Sequence, residues 1–324
     1  MDTTAPSSQW RPVLVAASAI LALIVVWLII RGPHDEFATL NGHHEGVFSL
    51  ALAPDGKTIA SGGGDGTVRI WNLADRRELA VLKGHTGRVH ALAWTPDGTT
   101  LASSSEDKTI RLWNPTSGKE SELFTKVPKI VHALAYSSDG TILAAAVDRD
   151  VCYWKLNAHR ELMVLHGHWR TISGMAFLPG KSELATFAND QTVRIWDLET
   201  DRQVAEMPGP MGHCYSLTVS TDGKLIACVG GGRVHLYDAE NRQPLDPVEP
   251  NSRLICGVAL SPDGKLLAIG SQDKEVVIWD LQQKKVLSRL NGHQFAVGQM
   301  AFLPDSQTLV TSSHDSSLKL WKVR

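Results

Sequence analysis

Residues 47–82 read VFSLALAPDGKTIASGGGDGTVRIWNLADRRELAVL. Four short runs, VFSLALA, TIASG, TVRIWNL and ELAVL, alternate with a PDGK turn, the pair Asp65-Gly66 and a polar turn. Runs of this length bounded by turn residues are too short for ordinary helices and fit strands, and Asp-Gly is a strong hairpin signal. The stretch therefore predicts a four-stranded antiparallel unit. Such a unit cannot cover its own apolar faces, so it needs similar neighbours.

The neighbours are in the sequence. The turn residues Pro54, Pro96, Ser138, Pro179, Thr221, Pro262 and Pro304 are separated by 42, 42, 41, 42, 41 and 42 residues. Trp71, Trp113, Trp154, Trp196, Tyr237, Trp279 and Trp321 keep the same period, and seven units fill residues 40–324. A ring of about 4 to 8 such units closes the stack. The last unit stops at LKLWKVR, its third strand, while EFATL at 36–40 looks like the missing outer strand. Pairing the two chain ends would remove the open edge of the sheet.

Gly42-His43, Gly84-His85, Gly167-His168 and Gly292-His293, with the endings Trp71-Asn72, Trp113-Asn114, Trp196-Asp197 and Trp279-Asp280, name a family. Over about 285 of its 324 residues the chain resembles the WD-repeat proteins. The resemblance implies an all-β, seven-bladed propeller over 36–324, with 36–40 as the closing strand of the last blade. It also implies a hydrogen-bonded tetrad in four blades: His43, Ser61, Asp65, Trp71; His85, Ser103, Asp107, Trp113; His168, Thr186, Asp190, Trp196; and His293, Thr311, Asp315, Trp321. A buried carboxylate and imidazole are tolerated only when partnered. Units three, five and six depart, with Ala145 for the hydroxyl in the third and Asn251 and Ile269 for His and Ser in the sixth. In the fifth, Pro210 takes the tetrad place and Gly212-His213 is a decoy. These blades are expected to be the softer part of the ring.

Family members often bind partners on the top face, where the tetrad His and Asp lie. The residues carried over are the second of the inner strand (Phe48, His90, His132, Tyr215), the residue two before it (Arg88, Ile130, His213, Leu254) and the residue preceding the tetrad Asp position (Glu106, Asn189, Gln272, His314). This aromatic, apolar and Arg mixture is typical of interface hot spots. The implied function is a non-catalytic scaffold for a protein or peptide. The histidines among them point to pH-sensitive binding. The ligase-adaptor motif Trp-Asp-x-Arg is not met, since Trp196-Asp197 is followed by Leu198-Glu199.

Other chemistry finds little support. Gly56-Lys57-Thr58 lacks the earlier glycine of a phosphate loop, having Ala51 there, and Gly62 to Gly66 is a tight turn with no helix after it. There is no GxSxG elbow, no HExxH, and His166 and His168 do not make a metal site, so no catalytic residue, cofactor or metal is expected. A net charge of -2 removes the positive field of a nucleic-acid binder.

Residues 13–30, VLVAASAILALIVVWLII, carry no charge and are polar only at Ser18, long enough to cross most of a bilayer core of about 30 Å. They read as a transmembrane helix after a tail at 1–12 and before a linker at 31–35; the length of the run and the absence of a small-residue cleavage site argue against a signal peptide. Arg11 and Arg31 balance, so charge does not orient the helix. The four cysteines without pairing spacing and the absence of an open glycosylation sequon favour a single-pass protein with a cytoplasmic propeller. The bottom face, carrying the PDGK turns, is expected to look toward the membrane. The alternatives are an exported, anchored propeller binding envelope components and a small-ligand or enzymatic propeller using the channel mouth.

Overall fold

The computed structural model describes residues 36–157, 161–212, 214–250, 252 and 254–323. The expected tail, membrane helix and linker (1–35) and His213 lie outside the described residues. Among the described residues no helix is long and apolar enough to cross a membrane. The described residues form twenty-eight strands in seven four-stranded antiparallel sheets, one per blade of an all-β propeller.

Blade 1 shows why each unit folds this way. Its strands run Val47–Leu52, Thr58–Gly63, Thr67–Asn72 and Arg77–Lys83 from the channel outward. At the bottom face the Asp55 carboxylate accepts the N–H groups of Lys57 and Thr58 at 2.8 and 2.9 Å, and Gly56 supplies the positive φ of 63°. At the top face Asp65 accepts the Thr67 N–H at 3.0 Å, and Gly66 turns the chain at φ 73°. Short polar side chains that bond their own turn make these hairpins locally determined.

The core is not central. It is divided into seven apolar slabs, each shared by two adjacent blades. Ala60, Val68, Ile70 and Leu82 of blade 1 pack with Val89, Leu92, Leu101 and Trp113 of blade 2. Leu40, Val310, Leu318 and Leu320 of blade 7 pack with Val47, Ile59, Trp71 and Leu73 of blade 1. The periodic aromatic therefore reaches into the preceding blade. The Gly before each tetrad His leaves room for it: a Cβ on Gly42 or Gly167 would stand 2.8 or 2.7 Å from the indole of Trp71 or Trp196.

Glu36–Asn41 pairs antiparallel with Ser317–Lys322, Glu36 opposite Trp321 and Asn41 opposite Ser317. Lys319 Nζ meets Glu36 at 2.6 Å, as Arg111 meets Glu120 at 2.5 Å in blade 2. The chain thus enters blade 7 at the bottom end of its outermost strand.

Blades 3, 5 and 6 fill the tetrad places differently. Ala145 and Ile269 are fully buried. In blade 5 the Tyr237 hydroxyl donates to the Pro208 carbonyl of blade 4 at 2.8 Å, and the outer strand is cut to Gln243–Pro244. In the same blade Cys228 lies opposite Leu217, and the backbone of Cys214 opposite Gly230.

Candidate functional site

In each inner strand the register slips near the start: between Val47 and Ser49, Val89 and Ala91, Val131 and Ala133, Ile172 and Gly174, Cys214 and Ser216, Ile255 and Gly257, and Val297 and Met300. A bulge leaves its extra residue out of the ladder and re-aims the side chain. The second residue of the strand is the one released. Phe48, His90, His132, Tyr215 and Cys256 consequently line the mouth of the central channel, a cavity of about 860 Å³.

The tetrad residues fix the turns around that mouth. In blade 2 the Trp113 indole N–H donates to Ser103 Oγ at 2.7 Å, the Ser103 hydroxyl faces His85 Nε2 at 2.7 Å, and His85 Nδ1 faces Asp107 at 2.8 Å. The same chain joins Trp71, Ser61, His43 and Asp65; Trp196, Thr186, His168 and Asp190; and Trp321, Thr311, His293 and Asp315. With Ser or Thr donating to Nε2, a neutral ring carries its proton on Nδ1 and donates it to the carboxylate.

Burial lowers the pKa of His43, His85 and His168 below 6.5, outweighing the neighbouring carboxylates. Burial alone would raise the Asp65 carboxyl, but the His44 N–H, the Thr67 hydroxyl and N–H and His43 bring it down to about 2. Asp107, Asp190 and Asp315 are lowered in the same balance. Every one of these groups binds protons less readily folded than unfolded, so stability rises with pH. The imidazole contribution is lost as pH falls below 6.5, and the carboxylate contribution as it falls from 3.8 toward about 2. A thermal-unfolding series across pH is expected to give a midpoint that declines below 6.5 and drops steeply below 3.8. A midpoint that rises on acidification would contradict this account.

Seven of the twelve residues expected on the top face line the mouth: Phe48, His90, His132, Asn189, Tyr215, Gln272 and His314. Arg88 and Glu106 stand just outside and hold it together. Arg88 lies 4.2 Å over the Phe48 ring, Phe48 meets His314 at 4.6 Å between centroids, Glu106 pairs with Arg88 at 3.6 Å and His90 at 3.3 Å, and His90 meets His132 at 5.5 Å. Ile130 is half-buried beyond this cluster, and Leu254 is exposed on the rim at a positive φ of 50°. Burial lowers the pKa of His90, His132 and His314, so the rings facing the channel are neutral near pH 7.

The structure adds residues that strand counting did not supply. Trp169 and Phe295, 59% and 60% exposed, sit in the turns just after His168 and His293, and Lys274 joins Phe295 at the mouth. Met211 is also exposed, in the chain before the fifth inner strand. Their signal was a large apolar residue in a turn that in the first two blades reads His44-Glu45 and Thr86-Gly87. Among the described residues, no three His, Cys, Asp or Glu side chains gather as a metal site.

A family model described as WD domain, G-beta repeat matches residues 35–72, 76–114, 124–155, 159–197, 247–280 and 284–322. The unmatched stretch between the fourth and fifth matches holds blade 5. The chain is similar to the WD repeat-containing protein VIP3 of Arabidopsis thaliana, 25% identical over 48% of this chain and 54% of that protein. It is also similar to the periodic tryptophan protein 2 homolog of Mus musculus, 29% identical over 76% of this chain and 30% of that protein. A third relative is the target of rapamycin complex subunit LST8-1 of Arabidopsis thaliana, 30% identical over 31% of this chain and 33% of that protein. The matches thus span about half or less of these relatives' own length. Six matched repeats over more than half of the chain, built on one blade plan, place it in the WD-repeat family, to which it belongs.

Proposed function

We propose that the chain is a non-catalytic interaction scaffold, tethered to a membrane by residues 13–30, whose top face captures a protein or peptide partner. The observation that carries the reading is the channel mouth. Phe48, Tyr215 and Phe295 open on a cavity of about 860 Å³, and Arg88 is stacked beside them. Rigid aromatic anchors and Arg around a pocket are what interface hot spots are made of. The bottom-side entry of the chain into blade 7 supports the tethered geometry, because a preceding anchor would hold the bottom toward the bilayer and leave the mouth facing away. On this reading the propeller lies on the cytoplasmic side.

The test is a pull-down from membranes with the full chain, comparing wild type with Phe48→Ala, Arg88→Glu and Tyr215→Ala combined. One protein retained by wild type and lost by a folded variant is the expected result. Capture that survives all three changes would move the interface elsewhere, and capture of nothing would favour a small ligand in the mouth. Protease protection of the propeller in sealed vesicles separates the cytoplasmic arrangement from an exported one binding envelope components.

A further inference from the structure

A second groove, of about 740 Å³, lies on the same face between blades 3 and 4, lined by Lys129, Arg149, Arg170 and Trp169. All four are exposed, and Arg170 lies 4.9 Å over the Trp169 ring, holding both at the rim. Asp148 is the one carboxylate of the lining, and it accepts the Thr171 hydroxyl at 3.1 Å. Nearby Asp150 is engaged by His166 at 2.7 Å, and Glu106 by Arg88 and His90. Among the described residues Lys129, Arg149 and Arg170 have no ion-pair partner. By contrast, Arg69, Arg111, Arg194, Arg233, Arg242 and Arg289 each have one. Three such cations beside an exposed indole, against the single carboxylate of Asp148, leave the groove a net positive field in a protein of net charge -2. Thr171 and Asn189 line both this groove and the channel mouth, so the two are continuous.

We infer that the groove takes an acidic segment of the partner protein, its carboxylates meeting Lys129, Arg149 and Arg170 while a neighbouring aromatic or apolar side chain enters the mouth. The inference rests on the top face being the partner surface and adds the chemistry of what is bound. A peptide fits better than a nucleic acid, since the cations form one short cluster rather than a stripe along which a phosphate backbone could track.

The experiment uses the full chain in detergent and a short fluorescein-labelled peptide with one Phe beside a run of Asp and Glu. The control peptide has Asn and Gln in that run. Three exposed charge pairs give the acidic peptide an expected preference of about tenfold at low salt, shrinking as salt is added. The preference should vanish in Arg149→Glu/Arg170→Glu, whose positions are exposed and leave the core intact, as its unfolding midpoint will show. Phe48→Ala/Tyr215→Ala should weaken both peptides alike. Equal binding of the two peptides, no binding of either, or a preference that survives the charge reversal overturns the inference. Tighter binding of a single-stranded DNA of matched charge reassigns the groove to nucleic acid and overturns it too. If the pull-down partner is lost with the mouth variant but kept with Arg149→Glu/Arg170→Glu, the scaffold reading stands and this inference alone falls.

Discussion

Trp113→Ala is expected to lower the unfolding free energy by about 3–5 kcal/mol. The indole is 1% exposed and fills the slab between blades 1 and 2 against Ile70, Leu82 and Leu101. Its removal leaves a cavity in a wall shared by two sheets, neither of which can close it without moving the other. It also strips Ser103 of its donor at 2.7 Å, loosening the relay to His85 and Asp107. Trp113→Phe separates these effects: it keeps most of the volume and loses the hydrogen bond, at about 1–2 kcal/mol for the bond itself. Urea unfolding followed by circular dichroism measures both. A loss below about 1 kcal/mol for the alanine variant would mean that the slab repacks, and that the periodic aromatics are not what joins the blades.

Gly257→Ala is the second large effect, expected at about 3 kcal/mol or more because the clash is with backbone. A Cβ at this position would lie 1.8 Å from the Gly298 carbonyl oxygen and 2.9 Å from its carbon. The cause is the inner strand of blade 7, where the register slip extends from Val297 to Met300 and brings that carbonyl against blade 6. No rotamer change can relieve a carbonyl fixed between two strands. Gly264→Ala is the contrasting case: open space surrounds it, but its φ of 67° is strained for alanine and should cost about 1 kcal/mol. The two melting temperatures, measured together, distinguish a steric from a conformational penalty. Equal small losses at both sites would show that the Gly298 carbonyl can swing away.

The architecture was legible because it is written seven times. A turn residue and an aromatic recurring every 41 or 42 residues require a closed stack of like sheets, whatever the rest of each unit says. Local chemistry at Asp55-Gly56 and Asp65-Gly66 then sets the hairpins within a unit. Less of the site could be read this way. Counting along the inner strand singles out Phe48, His90, His132 and Tyr215, but their aim into the channel comes from a bulge that has no sequence signature of its own. Trp169 and Phe295 escaped for a related reason. They belong to turns whose length varies little while their composition varies freely, so nothing periodic flags them. The need for glycine at 257 arises from the carbonyl of Gly298 in the next blade and is visible only in three dimensions.

The join between Glu36–Asn41 and Ser317–Lys322 is the one place where the ring is held shut without a continuous covalent chain. Any load carried by the residues before Glu36 arrives at this seam. Because the chain enters at the bottom end, a pull directed away from the bottom face runs along the strand and stretches the ladder's hydrogen bonds together, in shear. A sideways pull would open them one after another, beginning with the pair at Glu36 and Trp321. The propeller is therefore a clasp with a preferred direction of strain, strong when drawn straight down from its base and weak when peeled.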